Sequence, residues 1–324
     1  MKFTISFEKE DLKKLHMYWD KVIESQQWTE GNFTKQFEEK WSEYNEAYSV
    51  SFSSWSGAAL AALEYFNLKG KTVLCPSNTF MATPLSVIKI GGTVEFVDCN
   101  KNDLCLSFED LKIKVNKYKP AAVWVVHIGG HIAFQIEEIA NFCKQEGIIL
   151  IEDCAHAAGA SWNGRKAGTW GEAGIYSFYA TKTIPTGEGG MLVTKNSDLA
   201  DFANKYKNYG KFEYKVEGLN YRMNEFTAAI GCVQIERMND MFQWKNEYAK
   251  KYLDHKFQNR VKFPDGMVSG FYKYIVFDPI EKSTGKVYDN PCHRIMQRDC
   301  NLPNTDWVAK NHWCVPLYYK GNID

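Results

Sequence analysis

The 324-residue chain has no C-x-x-C pair, no G-x-G-x-x-G loop after an early strand, no surplus of either charge and no apolar run long enough to span a bilayer. Each lack excludes something. Without the glycine fingerprint, a dinucleotide-binding Rossmann enzyme loses its main sequence support. The nine cysteines (Cys75, Cys99, Cys105, Cys143, Cys154, Cys232, Cys292, Cys300 and Cys314) are odd in number, and several lie in apolar runs. They read as reduced core thiols and not as a disulfide framework. The grouping of Cys292, His293, Cys300, His312 and Cys314 fits no familiar zinc spacing, so no metal is expected. Lys plus Arg and Asp plus Glu both number 39. A balanced chain is not by default a nucleic-acid or membrane-surface protein, and any anionic ligand must be held by local groups. Lys205, Lys207, Lys211 and Lys215, around Tyr209-Gly210, read as a solvated charged face, with contact to a nucleotide diphosphate as the alternative. The first residues, Met-Lys-Phe-Thr-Ile-Ser-Phe-Glu-Lys-Glu, reach charge too soon for a secretory leader. A soluble cytoplasmic protein is the expectation.

What is present is an alternation. The composition is 45% hydrophobic and 15% aromatic, enough for a large core plus a smaller unit. Amphipathic helices are expected from about Glu8 to Ser25 and from Phe33 to Tyr44. Short apolar strands (Tyr48–Phe52, Thr72–Cys75, Thr93–Val97, Ala121–Val126, Ile148–Ile151) then alternate with helical runs (Gly57–Phe66, Phe80–Ile90, Phe108–Val115, Ile136–Glu146). This pattern predicts an α/β sheet covered on both faces. Ligands gather at the carboxyl ends of such strands, which directs attention to the residues after Phe52, Cys75, Val126 and Ile151. A single long helix is expected from about Glu225 to Lys256, interrupted by no proline and containing only Gly231. Beyond it, a strand over Phe271–Phe277 and a helix over Cys292–Cys300 suggest a small α/β domain. The expected division is 1–240 and 241–324.

Two motifs carry chemistry. Lys182 lies in Ser177-Phe178-Tyr179-Ala180-Thr181-Lys182, between strand-like runs, with Thr186-Gly187-Glu188-Gly189-Gly190 downstream. A buried lysine loses its charge readily and is then a nucleophile toward carbonyls; a solvated surface charge is the alternative. The strand Ile148–Ile151 ends in Glu152-Asp153-Cys154-Ala155-His156, which sets an acid over a ligand site or at a helix N-cap. Serine and glycines beside such an amine suit a phosphate-bearing carbonyl cofactor.

These stretches, together with Pro76-Ser77-Asn78-Thr79-Phe80-Met81-Ala82-Thr83, Gly92-Thr93-Val94-Glu95-Phe96-Val97-Asp98 and Gly218-Leu219-Asn220-Tyr221-Arg222-Met223-Asn224-Glu225, resemble the DegT/DnrJ/EryC1/StrS sugar aminotransferases. The resemblance covers roughly residues 29–234 in order. It implies a pyridoxal-phosphate enzyme of fold type I: a large domain whose central, mostly parallel mixed sheet lies between helices, plus a small C-terminal α/β domain. In that pattern Lys182 is the Schiff-base lysine and proton shuttle, and Asp153 pairs with the pyridine nitrogen. His156 lies beside the ring near its phenolic oxygen, with a plain core histidine as the alternative. Phe80 stacks on the ring, or is a core phenylalanine. Ser177 donates to the phosphate, and Ser56 and Gly57 open a helix whose N–H groups cradle it. Relatives have Gly-Thr there, whereas this chain reads Trp55-Ser56-Gly57. Asn220 reaches the neighbouring subunit's phosphate, or is a turn residue.

The implied activity is transfer of an amino group from an amino-acid donor, glutamate by resemblance, to a nucleotide-linked keto sugar. The cofactor alternates with pyridoxamine phosphate. Asn220-Tyr221-Arg222-Met223 resembles the branch that aminates C4 more than the branch that aminates C3. The implied assembly is a homodimer with shared active sites. A related sugar dehydratase would carry His where Lys182 stands. A non-catalytic cofactor-binding or regulatory protein is the reading from another class, to which the chain's stop soon after Tyr318 lends weight.

Overall fold

The computed structural model describes residues 7–320. The first six and last four residues lie outside that description. So do most of the opening segment weighed above as a leader and the extremes of the two expected domains.

In chain order the elements are α1 (Lys9–Ser25), α2 (Asn32–Asn45), β1 (Tyr48–Phe52), α3 (Trp55–Tyr65), β2 (Thr72–Pro76), α4 (Ala82–Lys89), β3 (Thr93–Val97), α5 (Phe108–Tyr118), β4 (Ala122–Val126), α6 (Ile136–Glu146), β5 (Ile149–Asp153), β6 (Ser161–Trp162), β7 (Arg165–Lys166), β8 (Ala173–Ser177), β9 (Gly190–Thr194), α7 (Ser197–Tyr206), α8 (Glu225–Glu236), α9 (Met238–Tyr248), β10 (Met267–Val268), β11 (Tyr274–Val276), α10 (Cys292–Ile295), α11 (Pro303–Lys310) and β12 (Trp313–Val315). The main sheet has seven strands in the order β1-β9-β8-β5-β4-β2-β3. Pairings are parallel from β3 through β8, while β9 runs antiparallel to both β8 and β1. Six strands therefore end on one edge of the sheet, and β9 begins there.

The strands read as unbroken apolar runs because both faces are buried. On one face Leu74, Val123, Val125, Leu150, Tyr176 and Met191 pack with Phe37, Trp41, Leu111, Ile136, Ile139 and Ala228 of the helices. On the other, Val73, Cys75, Ala122, Trp124, Ile151 and Ile175 meet the alanine-rich α3 together with Val87, Leu199 and Ala203. The alternation of neighbouring residues between the two clusters is the period-2 pleat.

Two carboxylates hold this frame together. Glu225, at the start of α8, accepts from the N–H groups of Gly31 (3.0 Å), Phe33 (2.7 Å) and Thr34 (2.9 Å), and so caps α2 from a distant element. Glu152 is fully buried. It accepts from the N–H groups of Gly168 (2.7 Å), Trp170 (2.6 Å) and Gly171 (2.7 Å). His127 completes the set: its Nδ1 accepts from Ala133 N–H (3.1 Å), so Nε2 carries the proton and donates to Glu152 at 2.8 Å. Glu152→Gln removes the charge and sets an NH2 group against N–H donors. We expect a loss of about 3 kcal/mol, read as a lower urea midpoint; an unchanged midpoint would mean the 168–171 loop is held by other contacts.

The single helix expected over Glu225–Lys256 is two helices and a π turn. α8 ends at Arg237, whose φ and ψ are −95° and −2°, α9 follows, and Ala249–Leu253 forms the π turn. No glycine or proline marks the bend. Arg237 pairs with Asp11 of α1 at 3.0 Å, a contact that local sequence does not carry. The helix expected over Cys292–Cys300 is only the four residues of α10. Carboxyl-terminal segments dock on the sheet through Asp98, which accepts from Asn304 and Thr305 at the start of α11 (3.0 and 2.7 Å). Among the described residues no helix is long and apolar enough to cross a membrane, and the cysteines are free.

Candidate active site

The carboxyl edge of the sheet opens into a cleft of about 510 Å³. It is lined by Ser54, Trp55 and Ser56 after β1, Thr79 and Phe80 after β2, Asp153, Ala155 and His156 after β5, Ser177, Tyr179 and Lys182 after β8, and Tyr272 and Tyr288 from the carboxyl-terminal part. Gly190 lets these turns converge. It pairs with both Phe52 and Ser177, and a Cβ there would come within 2.5 Å of the Ser54 backbone.

Asp153 ends β5 and is buried. Its Oδ1 accepts from the Trp55 indole N–H (3.1 Å) and the Ala155 N–H (3.0 Å), and its Oδ2 from the Thr83 hydroxyl (2.9 Å). Burial raises its pKa, while these donors and Lys182 oppose the rise. No helix begins here, so the alternative as an N-cap has no counterpart in the fold.

Lys182 sits in the loop that joins β8 to β9, which is closed by Phe178 N–H to Gly189 O (2.9 Å) and Thr186 N–H to Phe178 O (2.8 Å). Its Nζ lies 4.9 Å from the centroid of the Tyr272 ring. Burial pushes the amine down to about 8; Asp153 acts against that and Lys273 reinforces it. The folded pKa thus lies below the ordinary 10.5. Between the two values the folded chain binds fewer protons than the unfolded one. The destabilisation from a buried charge is therefore complete below about pH 8 and fades as pH rises toward 10.5. Acetic anhydride labelling of Lys182, read by mass spectrometry, should rise about tenfold per pH unit and level off near pH 8. A rise that continues past pH 10 would describe a solvated amine.

His156 stacks on Tyr272 (centroids 4.2 Å apart, planes at 27°), and its Nε2 faces the Tyr288 hydroxyl at 3.3 Å. Its Nδ1 is buried and has no hydrogen-bond partner among the described residues. Burial, with Lys182 and Lys273, holds its pKa well below the ordinary value, so the ring is neutral. Phe80 is 65% exposed and stands on the cleft wall, not in the core.

Ser54 is the N-cap of α3, and its hydroxyl takes the Gly57 N–H (3.3 Å). That N–H is thus already engaged, which leaves Trp55 and Ser56, the first two residues of α3, to face the cleft. Gly57 itself admits Tyr221, since a Cβ would lie 3.1 Å from that side chain. Ser177 is at the end of β8 on the cleft wall. Asn220 does not line this cleft; it is exposed and bridges Asn208.

Sequence reasoning missed Ser54, Thr83, Tyr272 and Tyr288. Serine before an alanine-rich run was a legible capping signal for Ser54, and the others had none. The group His127, Glu152 and Cys154 brings ligand-type atoms together, but the network above engages both imidazole nitrogens and both carboxylate oxygens. His293 bonds the Ser77 hydroxyl (2.7 Å), and His312 Nε2 accepts from Val287 N–H (2.8 Å), so each is engaged within the fold.

A phosphate-bearing aldehyde fits this donor set. There is an amine of lowered pKa, a buried carboxylate, an unpartnered imidazole nitrogen, an exposed aromatic face and a helix N-terminus of eleven residues. A mostly parallel sheet with these groups at its carboxyl edge is the fold-type-I architecture of pyridoxal-phosphate enzymes. The chain belongs to the DegT/DnrJ/EryC1/StrS aminotransferase family, which matches residues 9–268. It is 33% identical over 229 residues to the GDP-perosamine synthase of Vibrio cholerae, a match covering 68% of this chain and 62% of that protein. The chain thus spans less than two thirds of the length of that relative. It is 29% identical over 328 residues to the pleiotropic regulatory protein of Geobacillus stearothermophilus, covering 92% and 88% of the two chains. The crystal structure of a DegT DnrJ EryC1 StrS aminotransferase from Brucella abortus superposes with a TM-score of 0.89 at 21% identity, over 96% of this chain and 92% of the other, a likeness of fold.

Proposed function

We propose that this protein is a pyridoxal-phosphate-dependent aminotransferase that aminates a nucleotide-linked keto sugar, at C4 in preference to C3, with glutamate as donor. The observation that carries the reading is one cleft in which the lowered-pKa amine of Lys182 faces the buried carboxylate of Asp153. Pyridoxal phosphate, when bound, supplies an aldehyde for the lysine and a ring that withdraws electrons from the carbon that loses its proton.

The chain's own residues do the rest. Lys182, neutral for an appreciable fraction near pH 7–8, takes a proton from substrate carbon and returns it as an acid. Asp153, fixed by Trp55, Thr83 and Ala155, would set a negative charge against the ring nitrogen without reorganising. His156, with its unpartnered Nδ1, and Phe80, with its exposed ring on the cleft wall, would hold the cofactor ring. Ser177 and Ser56, in the first turn of α3 beside Gly57, would receive the phosphate. Tyr272 and Tyr288 wall the cleft and exclude water. In this reading residues 1–240 hold the cofactor and 241–324 cover it. The partner subunit's Asn220 completes the phosphate site of a homodimer.

The regulatory relative supports a second reading, a cofactor-binding protein without turnover. Incubating the loaded protein and glutamate with a panel of nucleotide-linked keto sugars, and locating the new amine by NMR, separates the two. Amination at C4 supports the proposal, and no amination of any member favours the second reading.

A further inference from the structure

A second cavity, of about 670 Å³, lies behind the segment that walls the cleft. Tyr272 faces the cleft, whereas its neighbours Phe271, Lys273 and Tyr274 line the cavity. Lys250, Arg260, Lys262 and Lys273 stand on the wall against only Asp254 and Asp265. Asp254 is already engaged: it accepts from Arg260 Nε (2.8 Å) and from the Tyr274 hydroxyl (2.7 Å). Among the described residues, Lys250, Lys262 and Lys273 pair with no carboxylate. A further amine, Lys245, is buried beneath the wall and donates to the Phe271 carbonyl at 3.0 Å. Burial, reinforced by Lys273, pushes it down to about 7.

The chain as a whole carries no net charge, so this surplus belongs to the cavity. Like charges around a concave wall repel one another and focus a positive potential inward, and an anion relieves both effects. We propose that the cavity is a binding site for a small polyanion, whose oxygens are shared among Lys250, Lys262 and Lys273, with Arg260 held in place by Asp254. The site is separate from the cofactor cleft but touches it. Lys273 Nζ lies 5.1 Å from the Tyr272 ring centroid and Lys182 Nζ 4.9 Å from the same point. An anion on Lys273 therefore screens a charge that Lys182 feels.

The test is calorimetric titration of the cofactor-loaded protein, in which the phosphate subsite of the cleft is already filled. Inorganic pyrophosphate and citrate are the probes, and they separate a phosphate ligand from a carboxylate one. Saturable binding of either is expected. It should weaken at least about tenfold, equivalent to about 1.4 kcal/mol, in the double variant Lys250→Ala/Lys262→Ala and stay unchanged in Lys89→Ala, an exposed lysine away from the cavity. Absence of saturable binding by both probes, equal affinity in the double variant, or equal weakening in Lys89→Ala would overturn the proposal. Each of these outcomes can occur while glutamate still converts the cofactor, so failure here is distinct from failure of the proposed function.

Discussion

Lys182→Ala should lower turnover by about 10³-fold or more while leaving the fold intact. The amine is assigned two tasks, bonding the cofactor aldehyde and moving the proton, and alanine performs neither. Below pH 8 the variant should be no less stable than the wild type, since alanine removes the penalty of a buried charge. The backbone bond from Lys182 N–H to Tyr179 O persists (2.8 Å), and the variant no longer buries a cation. Borohydride treatment of the loaded protein supplies an independent readout. In the wild type the peptide containing Lys182 gains the mass of the reduced cofactor; in the variant no peptide gains it in stoichiometric amount. Turnover within tenfold of wild type in the alanine variant would remove Lys182 from the reaction.

Asp153→Asn should cost about 10²–10³-fold in turnover with little change in stability. The amide keeps a carbonyl oxygen for the Trp55 indole and the Ala155 N–H, and its volume matches; its NH2 faces the Thr83 hydroxyl, which can turn to donate to Thr79 instead. Asp153→Ala behaves differently. It strands the Trp55 and Ala155 N–H groups, which costs about 1–3 kcal/mol per unsatisfied group, while the Thr83 hydroxyl keeps the Thr79 hydroxyl as a partner (2.9 Å). Comparison of the two variants separates electrostatic work from structural work. Wild-type turnover in Asp153→Asn would assign the carboxylate to structure alone.

The sheet was legible because β2, β4 and β5 are buried on both faces and so appear as unbroken apolar runs. Asp153 and Lys182 were legible because each follows such a run. The groups that tune them were not. Thr83 is 70 residues from Asp153, Tyr272 lies 91 residues from Thr181, and Tyr288 is 132 from His156. No local pattern records which distant side chain a strand end will meet. Trp55 was visible as a departure from the family's Gly-Thr, but its bond to Asp153 depends on β1 and β5 sharing one sheet edge. The break at Arg237 carries no local marker either, and the residue there pairs with a carboxylate on α1.

The absorption spectrum of the pyridoxal-phosphate-loaded protein during titration with L-glutamate tests the central claim most directly. The visible band should bleach as the cofactor takes the amino group, and Lys182→Ala should not complete this change at a comparable rate. A visible band that glutamate and every other amino acid leave unchanged would contradict it.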